Sequence, residues 1–305
     1  MIKFLAKRLL STILVLWLIS ISVFGLIFVV PADPARIYAG PHASGEVIAS
    51  IRQEMRLDDP VPLQYLRYMG KAIKGDLGRS VYGMDVLASI LERLPATMFL
   101  ALSGFLLELL LGLPAGILAA TRAGSRIDRL LLGLTVGGTC IPNFWLGLVL
   151  LYFFGYILGI LPLGGSGSLS HLILPALTLG IGGASYYARI LRSNLLEVFG
   201  SDYIRTAKAK GLVNRTILWR HAIPNAIMPI VTLSGFDLGL LFSGTIIVEM
   251  VFSWPGVGLL TWKAIERLDI PMIMGTVLFA AFFITIANLA ADIIYVILDP
   301  RIRLD

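Results

Sequence analysis

Three acids lie inside stretches that otherwise read as lipid-facing. Glu108, Asp237 and Asp292 fall within the apolar runs 96–121, 226–248 and 272–298. A charge at the bilayer centre costs roughly 2.5–3.5 kcal/mol on insertion scales, so such residues face a bundle interior or a water-filled cavity. Two chemistries follow: a polar lining for a translocation path, or a hydrogen-bonded strut between helices. Asn288 and Asp292 are four apart on one helical face, which favours an interior strut for that pair. The second chemical feature is the stretch "DYIRTAKAKGLVNRTILWRHAIPN", residues 202–225. It carries five basic side chains and one acid between two apolar runs.

Enzyme chemistry has no foothold in the sequence. There is no G-x-x-x-x-G-K-[ST] phosphate loop and no H-E-x-x-H metal motif. His42, His171 and His221 are scattered, and no serine or cysteine nucleophile signature is visible. Cys140 is the only cysteine and lies in an apolar run, where it reads as a small core residue. Neither catalysis nor ATP binding is expected in this chain.

The elements that must position these groups are membrane spans. The chain is 57% hydrophobic and 14% charged, with a mean hydropathy of +0.86. A soluble core of this size could not hide so much apolar surface. A spanning helix needs about 20 mostly apolar residues. Six runs qualify or nearly do: 9–30, 96–121, 130–160, 172–188, 226–248 and 272–298. The fourth is short, and Pro142 lies inside the third. The 9–30 run exceeds the apolar core of a signal peptide, so it reads as a retained first span. The expected fold is an all-α membrane protein with six transmembrane helices.

Basic residues orient the spans. Lys3, Lys7 and Arg8 precede the first. Arg122, Arg126 and Arg129 lie between the second and third. Arg189, Arg192 and the basic residues of 202–225 lie between the fourth and fifth, and Arg301 and Arg303 follow the sixth. The third-to-fourth loop, "LPLGGSGSLSH", has no Lys or Arg, and the fifth-to-sixth loop balances Lys263 and Arg267 with Glu266 and Asp269. Loops rich in Lys and Arg stay in the cytoplasm. Both termini, including 1–8, are therefore expected there. The net charge of +6 reports topology and not nucleic-acid binding. Segment 31–95 falls outside by alternation. Within it, "EVIASIRQEMRLDD" and "PLQYLRYMGKAIKG" have helical apolar spacing, with Pro60 and Pro62 breaking between them, and read as two short amphipathic helices.

Finer packing signals are present. Gly112/Gly116, Gly133/Gly137 and Gly235/Gly239 have the four-residue spacing that lets helices approach closely. Pro114, Pro142 and Pro175 can kink or break their helices, though plain packing is the alternative at each.

The stretch from 202 reads as a helix, a glycine turn and a second helix. Asp202 suits the first turn of a helix over 202–210, Lys208 and Lys210 suit its last turn, and Gly211 suits its C-terminal cap. Asn214 can cap a second helix, which Pro224 would end. Ala207 and Gly211 lie four apart, leaving a flat spot on a basic knob that would fit a partner's groove.

Here the sequence resembles a known family. The general coupling-loop pattern of ABC importer permeases, E-A-A-x3-G-x9-I-x-L-P, aligns on Gly211. Ala207, Gly211 and Pro224 agree with it, Ile223 is conservative, and Arg205, Thr206 and His221 depart. The departures fit the peptide/nickel branch, which reads close to Y-x-R-T-A-x-A-K-G, R-H-A, N-A and P. Tyr203, Arg205 to Ala207, Ala209 to Gly211, Arg220 to Ala222, Asn225-Ala226 and Pro229 match. "RLDDPVPLQYLRYMGKAIKGDLGRSVYG", "ILERLPATMFLAL", "VEMVFSWPGVGLLTWKAIERLD" and "DPRIRLD" resemble other parts of that branch, so the likeness covers almost the whole chain.

The resemblance implies a permease subunit importing di- or oligopeptides, or a nickel chelate, glutathione or another small solute. It implies a bacterial or archaeal cytoplasmic membrane, a second homologous permease chain, two ATP-binding cassette subunits and an extracytoplasmic solute-binding protein. No cofactor would sit in this chain; ATP and Mg would be held by the partner subunits. Segment 202–224, with Tyr203, Arg205, Ala207, Lys210, Gly211, Arg220, His221 and Pro224, would contact the ATPase. Segment 31–95 and Trp254-Pro255-Gly256 would contact the binding protein. Residues 96–305 would form the permease domain, with Glu108, Asp237 and Asp292 along the path. Two other classes compete. An ion-coupled secondary transporter would use Glu108 and Asp237 as proton carriers, but such proteins commonly show internal repeats and none is evident. A membrane anchor subunit of a respiratory or processing enzyme would carry cofactor ligands such as paired histidines, which are missing.

Overall fold

The computed structural model describes residues 2–29, 33–40 and 42–298; the side chains of 2–7, 26–29, 34, 232, 236, 238, 240, 242–244 and 290–298 fall outside the described set. Among the described residues all regular elements are helical, apart from one antiparallel bridge between Arg79 and Asp85. Four helices contain stretches long and apolar enough to cross a membrane: α1 (Ile2–Val29), α5 (Val86–Thr121), α8 (Leu169–Phe199) and α14 (Ile270–Leu298). A fifth candidate is the pair α6 (Arg126–Cys140) and α7 (Asn143–Leu150), the latter continuing as a π-helix over Leu151–Ile157. The fifth apolar run is occupied by α12 (Met228–Val251).

Four expectations are corrected. The run 130–160 is not one straight span: α6 and the helix after it are bent by 105°. Pro142 explains the break. It has no N–H to donate, and it pushes Ile141 to an extended backbone (φ −79°, ψ 122°). The fourth helix is not short. It runs 31 residues, because the apolar face continues past the last hydrophobic window through Leu191 and Leu195, four apart and both fully buried. Pro175 lies inside it without breaking it. The second long helix begins at Val86 and not at 96, with the Asp85 carboxylate accepting from the Ala88 N–H at 2.8 Å. Glu92, Arg93 and Pro95 hid its first turns from a search for apolar runs. Cys140 is exposed on the chain surface and is not a core residue.

The chain divides into two compact units. The first comprises residues 1–97, 255–289 and 303–305. Its described part holds α1, three short helices, the start of α5, α13 (Val257–Glu266) and most of α14. The short helices are α2 (Pro34–Ala39), α3 (Gly45–Glu54) and α4 (Val61–Ala72). The two expected amphipathic helices are α3 and α4; α2, only six residues long, is too short to show a helical apolar period in sequence. Ser44 caps α3, its hydroxyl accepting from the Val47 N–H at 3.4 Å. α4 is tied to α1 by the Ser20–Tyr65 hydroxyl pair at 2.7 Å and by the edge-on contact of Phe24 with Tyr65. Val23, Phe24, Ile270 and Met274 form a buried cluster beneath it. The turn before α5 is fastened by the buried Asp269, which accepts from the Ser80 hydroxyl and from the Val81 and Met272 N–H groups.

The second unit comprises 98–254 and 290–302. Its described helices pack around α8, with α6, α7 and α12 all against it. Glycines set the closest approaches of α5 to α8. A Cβ on Gly112 would stand 2.7 Å from the Ala184 carbonyl, and one on Gly116 would stand 2.7 Å from the Ala188 carbonyl. The Gly112/Gly116 reading is thus a real contact. Gly133 and Gly137 have nothing within 4 Å of an added Cβ, so they set no close helix approach among the described residues.

Candidate functional site

The basic segment folds as the sequence suggests, with changes in detail. α9 (Asp202–Ala209) is followed by a glycine turn, then by α10 (Asn214–Thr216), a π-helix over Ile217–Ala222 and α11 (Ile223–Ala226). Gly211 has φ +76°, the left-handed region that favours glycine. Its N–H donates to the Lys208 carbonyl at 2.9 Å, and the Leu212 N–H donates to the Ala207 carbonyl at 3.3 Å. This pairing is a Schellman motif, which satisfies the last carbonyls of α9.

The flat spot is not formed. Ala207 is buried beside Ile204 in a cluster with Leu191, Leu195, Ile217, Ala222 and Ala226. Its small side chain lets α9 lie close to the helix that follows. Asn214 is the first helical residue and not a cap; Val213 precedes it with an extended backbone. Pro224 does not end the second helix, which continues to Ala226. The reason is local: Pro224 stands next to a π-helical stretch, whose altered hydrogen-bond register leaves room for a residue that donates none. Asn194 of α8 then donates to the Ala226 carbonyl at 3.0 Å, fixing the end of the segment.

Burying one face of this helix pair leaves the other outward. Tyr203, Arg205, Lys208, Lys210, Gly211, Arg220 and Pro224 are exposed, and His221 is half-buried. Trp219, which motif matching alone did not single out, is 57% exposed. A large aromatic on an otherwise basic, rigid surface was its available signal. The structure therefore brings together a cationic, aromatic outer face on an apolar base.

The second candidate site is the interior acid pair. Glu108 on α5 is 2% exposed, and its carboxyl lies near that of Asp237 on α12. Glu108 Oε2 has no partner. Space for this carboxyl is made by Gly183 of α8, where any side chain would overlap it. Asp237 Oδ2 accepts from the Tyr187 hydroxyl of α8 at 2.8 Å. Three helices thus meet at one polar knot within an apolar bundle. Asp292 lies on α14, but its side chain falls outside the described residues.

Two further groups change the sequence picture. Trp254 and Gly256 are buried and Pro255 is half-buried, so Pro255 is the residue of this tripeptide that reaches the surface. The Trp254 N–H donates to the Glu249 carbonyl at 2.8 Å. Asp128, unremarked in the sequence, is buried at the start of α6 and grips Arg192 of α8 through two bonds of 2.6 and 2.8 Å. The Gly124 N–H also donates to it at 2.8 Å. Among the described residues no group of three or more His, Cys, Asp or Glu side chains could hold a metal ion.

Comparison with known proteins places these features. Residues 112–304 match the family model described as the binding-protein-dependent transport system inner membrane component, and residues 1–101 match the model for the N-terminal part of such membrane components. The chain is 38% identical over 304 residues to the "Glutathione transport system permease protein GsiC" of Escherichia coli (strain K12), covering 99% of each chain. The protein of that name from Salmonella paratyphi A is likewise 38% identical over 304 residues. Among solved structures, an inward-facing form of the MetNI methionine ABC transporter aligns with a TM-score of 0.58 at 20% identity, over 69% of this chain and 96% of that one. An amino acid ABC transporter aligns with a TM-score of 0.53 at 16% identity, over 72% and 99%. These two likenesses concern the fold. The chain belongs to the binding-protein-dependent transport system inner membrane components, and is a multi-pass permease component of a bacterial ABC importer.

Proposed function

We propose that this chain forms half of the translocation path of an ATP-driven importer of short peptides, paired with a second homologous permease chain. Two cytoplasmic ATPase subunits hold ATP and Mg, and one of them seats the exposed face of residues 202–224. Both termini are cytoplasmic, and the segment with α2, α3 and α4 lies outside, facing a solute-binding protein. The observation that carries this reading is the rigid basic helix pair. Ile204, Ala207, Ile217 and Ala222 are buried beneath it, while Tyr203, Arg205, Lys210, Trp219 and Arg220 point away from the chain. A transport subunit without a nucleotide motif needs such a lever to receive mechanical work.

Glutathione is itself a tripeptide, and the relatives named for its transport align along the whole chain. A glutathione-like peptide is therefore the leading substrate class, with longer peptides and nickel chelates the alternatives. Glu108 and Asp237 supply the polar interior across which helix movement is read, either as path lining or as strut. The test is reconstitution of the permease pair, ATPases and binding protein in liposomes. Uptake of labelled glutathione, dipeptides, oligopeptides and a nickel chelate is compared with and without ATP. ATP-dependent uptake of a peptide, lost when residues 202–224 are replaced by a Gly/Ser linker, is the expected result. Uptake driven by a proton gradient without ATP would overturn the proposal.

A further inference from the structure

The apolar arc of α4 is wider than the protein covers. Part of that arc packs inward. The Tyr65 hydroxyl pairs with Ser20 of α1 at 2.7 Å, and Phe24 lies edge-on to Tyr65 and tilted against Tyr68. Ala72 packs against the cluster of Leu77, Val86 and Ile90. The rest of the arc stays open. Pro62, Leu66, Met69 and Ile73 recur at intervals of four, three and four residues, which is one stripe of an α-helix. Leu66 is 64% exposed, and Ile73, at 82%, is the most exposed large hydrophobic among the described residues. Ile73 keeps a helical backbone (φ −62°, ψ −28°), so it continues the stripe past the end of the helix.

The opposite arc is mostly polar, with Leu63 its one large apolar side chain, and α4 carries no acid. Gln64 donates to the Leu57 and Asp59 carbonyls at 2.9 and 2.8 Å, and Arg67 pairs with Asp59. This side is thereby tied to the loop before the helix. Lys71, and Lys74 just past the helix, are exposed on the same side.

Depth decides what covers the open stripe. Ser20 and Phe24 lie inside the candidate span Arg8–Gly25. The tyrosines that reach them sit on the same apolar arc as the stripe, since Leu66 and Met69 each directly follow one of them. Near that level of α1, Leu18 and Ile21 are themselves exposed, as on a lipid-facing surface. A water-soluble partner would have to descend to the depth of the span to meet the stripe, whereas acyl chains already lie there. An apolar arc backed by lysines, whose long stems let the ammonium groups reach the headgroups, is the pattern of a helix lying in the membrane interface. We propose that α4 lies in the leaflet at the C-terminal end of α1, with Pro62, Leu66, Met69 and Ile73 among the upper acyl segments and Lys71 and Lys74 at the phosphates. So placed, α4 holds the segment between α1 and α5 down on the bilayer. This placement requires the span α1, and neither the substrate nor the energy source proposed above.

The test uses the full chain, with cysteine-free co-purifying subunits, in nanodiscs of phosphatidylethanolamine and phosphatidylglycerol. In a Cys140→Ser background, Leu66→Cys, Ile73→Cys and Lys74→Cys are each labelled with an environment-sensitive fluorophore. All three positions are exposed, so the labels disturb no packing. At Leu66 and Ile73, emission should be blue-shifted and quenched several-fold more by lipids brominated high on the acyl chain than by aqueous iodide. At Lys74 the order should reverse. Labels at Leu66 and Ile73 that iodide quenches as strongly as at Lys74 would place the stripe in water and overturn the proposal. Labels shielded from both quenchers would mean that a protein surface covers the stripe. Labels shielded only after the solute-binding protein is added would make it that protein's seat, and either result rejects the bilayer.

Discussion

The Tyr187 hydroxyl donates to Asp237 Oδ2 at 2.8 Å, joining the fully buried ring of one long helix to an acid on the next. In an apolar bundle this bond gives Asp237 a donor that lipid cannot supply. Tyr187→Phe keeps the ring packing and removes only the donor. The expected cost is about 1–3 kcal/mol, the range for leaving a buried polar group unsatisfied. Its readouts are a lower thermal midpoint of the purified chain and slower uptake. Asp237→Asn retains an acceptor oxygen for Tyr187 and should cost less stability. Wild-type behaviour of Tyr187→Phe in both assays would show that the bond is incidental.

Gly183 and Gly133 make a matched pair for testing the same knot. A side chain at Gly183 would overlap the Glu108 carboxyl, whereas one at Gly133 meets nothing within 4 Å. Gly183→Ala should therefore displace Glu108 and cost about 1–3 kcal/mol, as overpacking does. Gly133→Ala should be neutral or gain about 0.5–1 kcal/mol from helix propensity. Thermal midpoints of the two single variants decide this, and equal values would remove Gly183 from any role in seating Glu108.

Asp128 and Arg192 provide a third test. Arg192 donates through two nitrogens, and only a guanidinium can do so in this planar fork. Arg192→Lys should keep the charge but lose one bond, and Arg192→Ala should strand a buried carboxylate. Abundance in the membrane at fixed expression should fall in the order wild type, Arg192→Lys, Arg192→Ala. The Arg192→Leu/Asp128→Asn double variant should recover above Arg192→Ala, because it removes the stranded charge. No recovery would mean that Arg192 acts through another partner.

The long-range frame was legible because apolar runs and glycine turns act locally. Gly211 announced its positive φ through the lysines before it and the helix signals after it. Gly112 and Gly116 announced a close helix approach through spacing alone. What stayed hidden depended on partners distant in sequence. Nothing near Ala207 says that Ile217 and Ala222 will cover it, so by sequence its small size suggests an outward flat spot. Asp128 looks like an ordinary helix-start acid until Arg192, 64 residues later, reaches it. Trp254 sits in a loop-like motif, yet it is 5% exposed. Pro142 was visible, but its consequence was not, since a proline can kink, break or merely pack.

Topology can be tested without disturbing any cap. Ser50 and Ala123 are both exposed, and neither makes a side-chain bond among the described residues. In a Cys140→Ser background, Ser50→Cys should react with a membrane-impermeant maleimide on intact spheroplasts. Ala123→Cys should react only after the membrane is opened. Arg122, Arg126 and Arg129 in this loop motivate the assignment. Labelling of both positions on sealed cells would reverse it.

The last prediction returns to Gly211. Its φ of +76° is closed to β-branched residues, yet an added Cβ meets no atom within 4 Å. Space is therefore available and only the backbone is restrictive. That separates two substitutions that a steric argument would treat alike. Gly211→Asn should be tolerated, because asparagine enters the left-handed region readily. Gly211→Val should cost about 1–2 kcal/mol locally, unwinding the Schellman turn that holds Ala207 and Lys208 in place. α8 packs mainly against α6, α7 and α12, away from that turn, so the chain should still insert at normal abundance. What should fall is co-purification of the ATPase subunits and ATP-dependent uptake. Ala207→Asp, by contrast, places a charge in the apolar cluster beneath the segment and should lower abundance as well. Full retention of ATPase binding and transport by Gly211→Val would return residues 202–224 to being an ordinary basic loop.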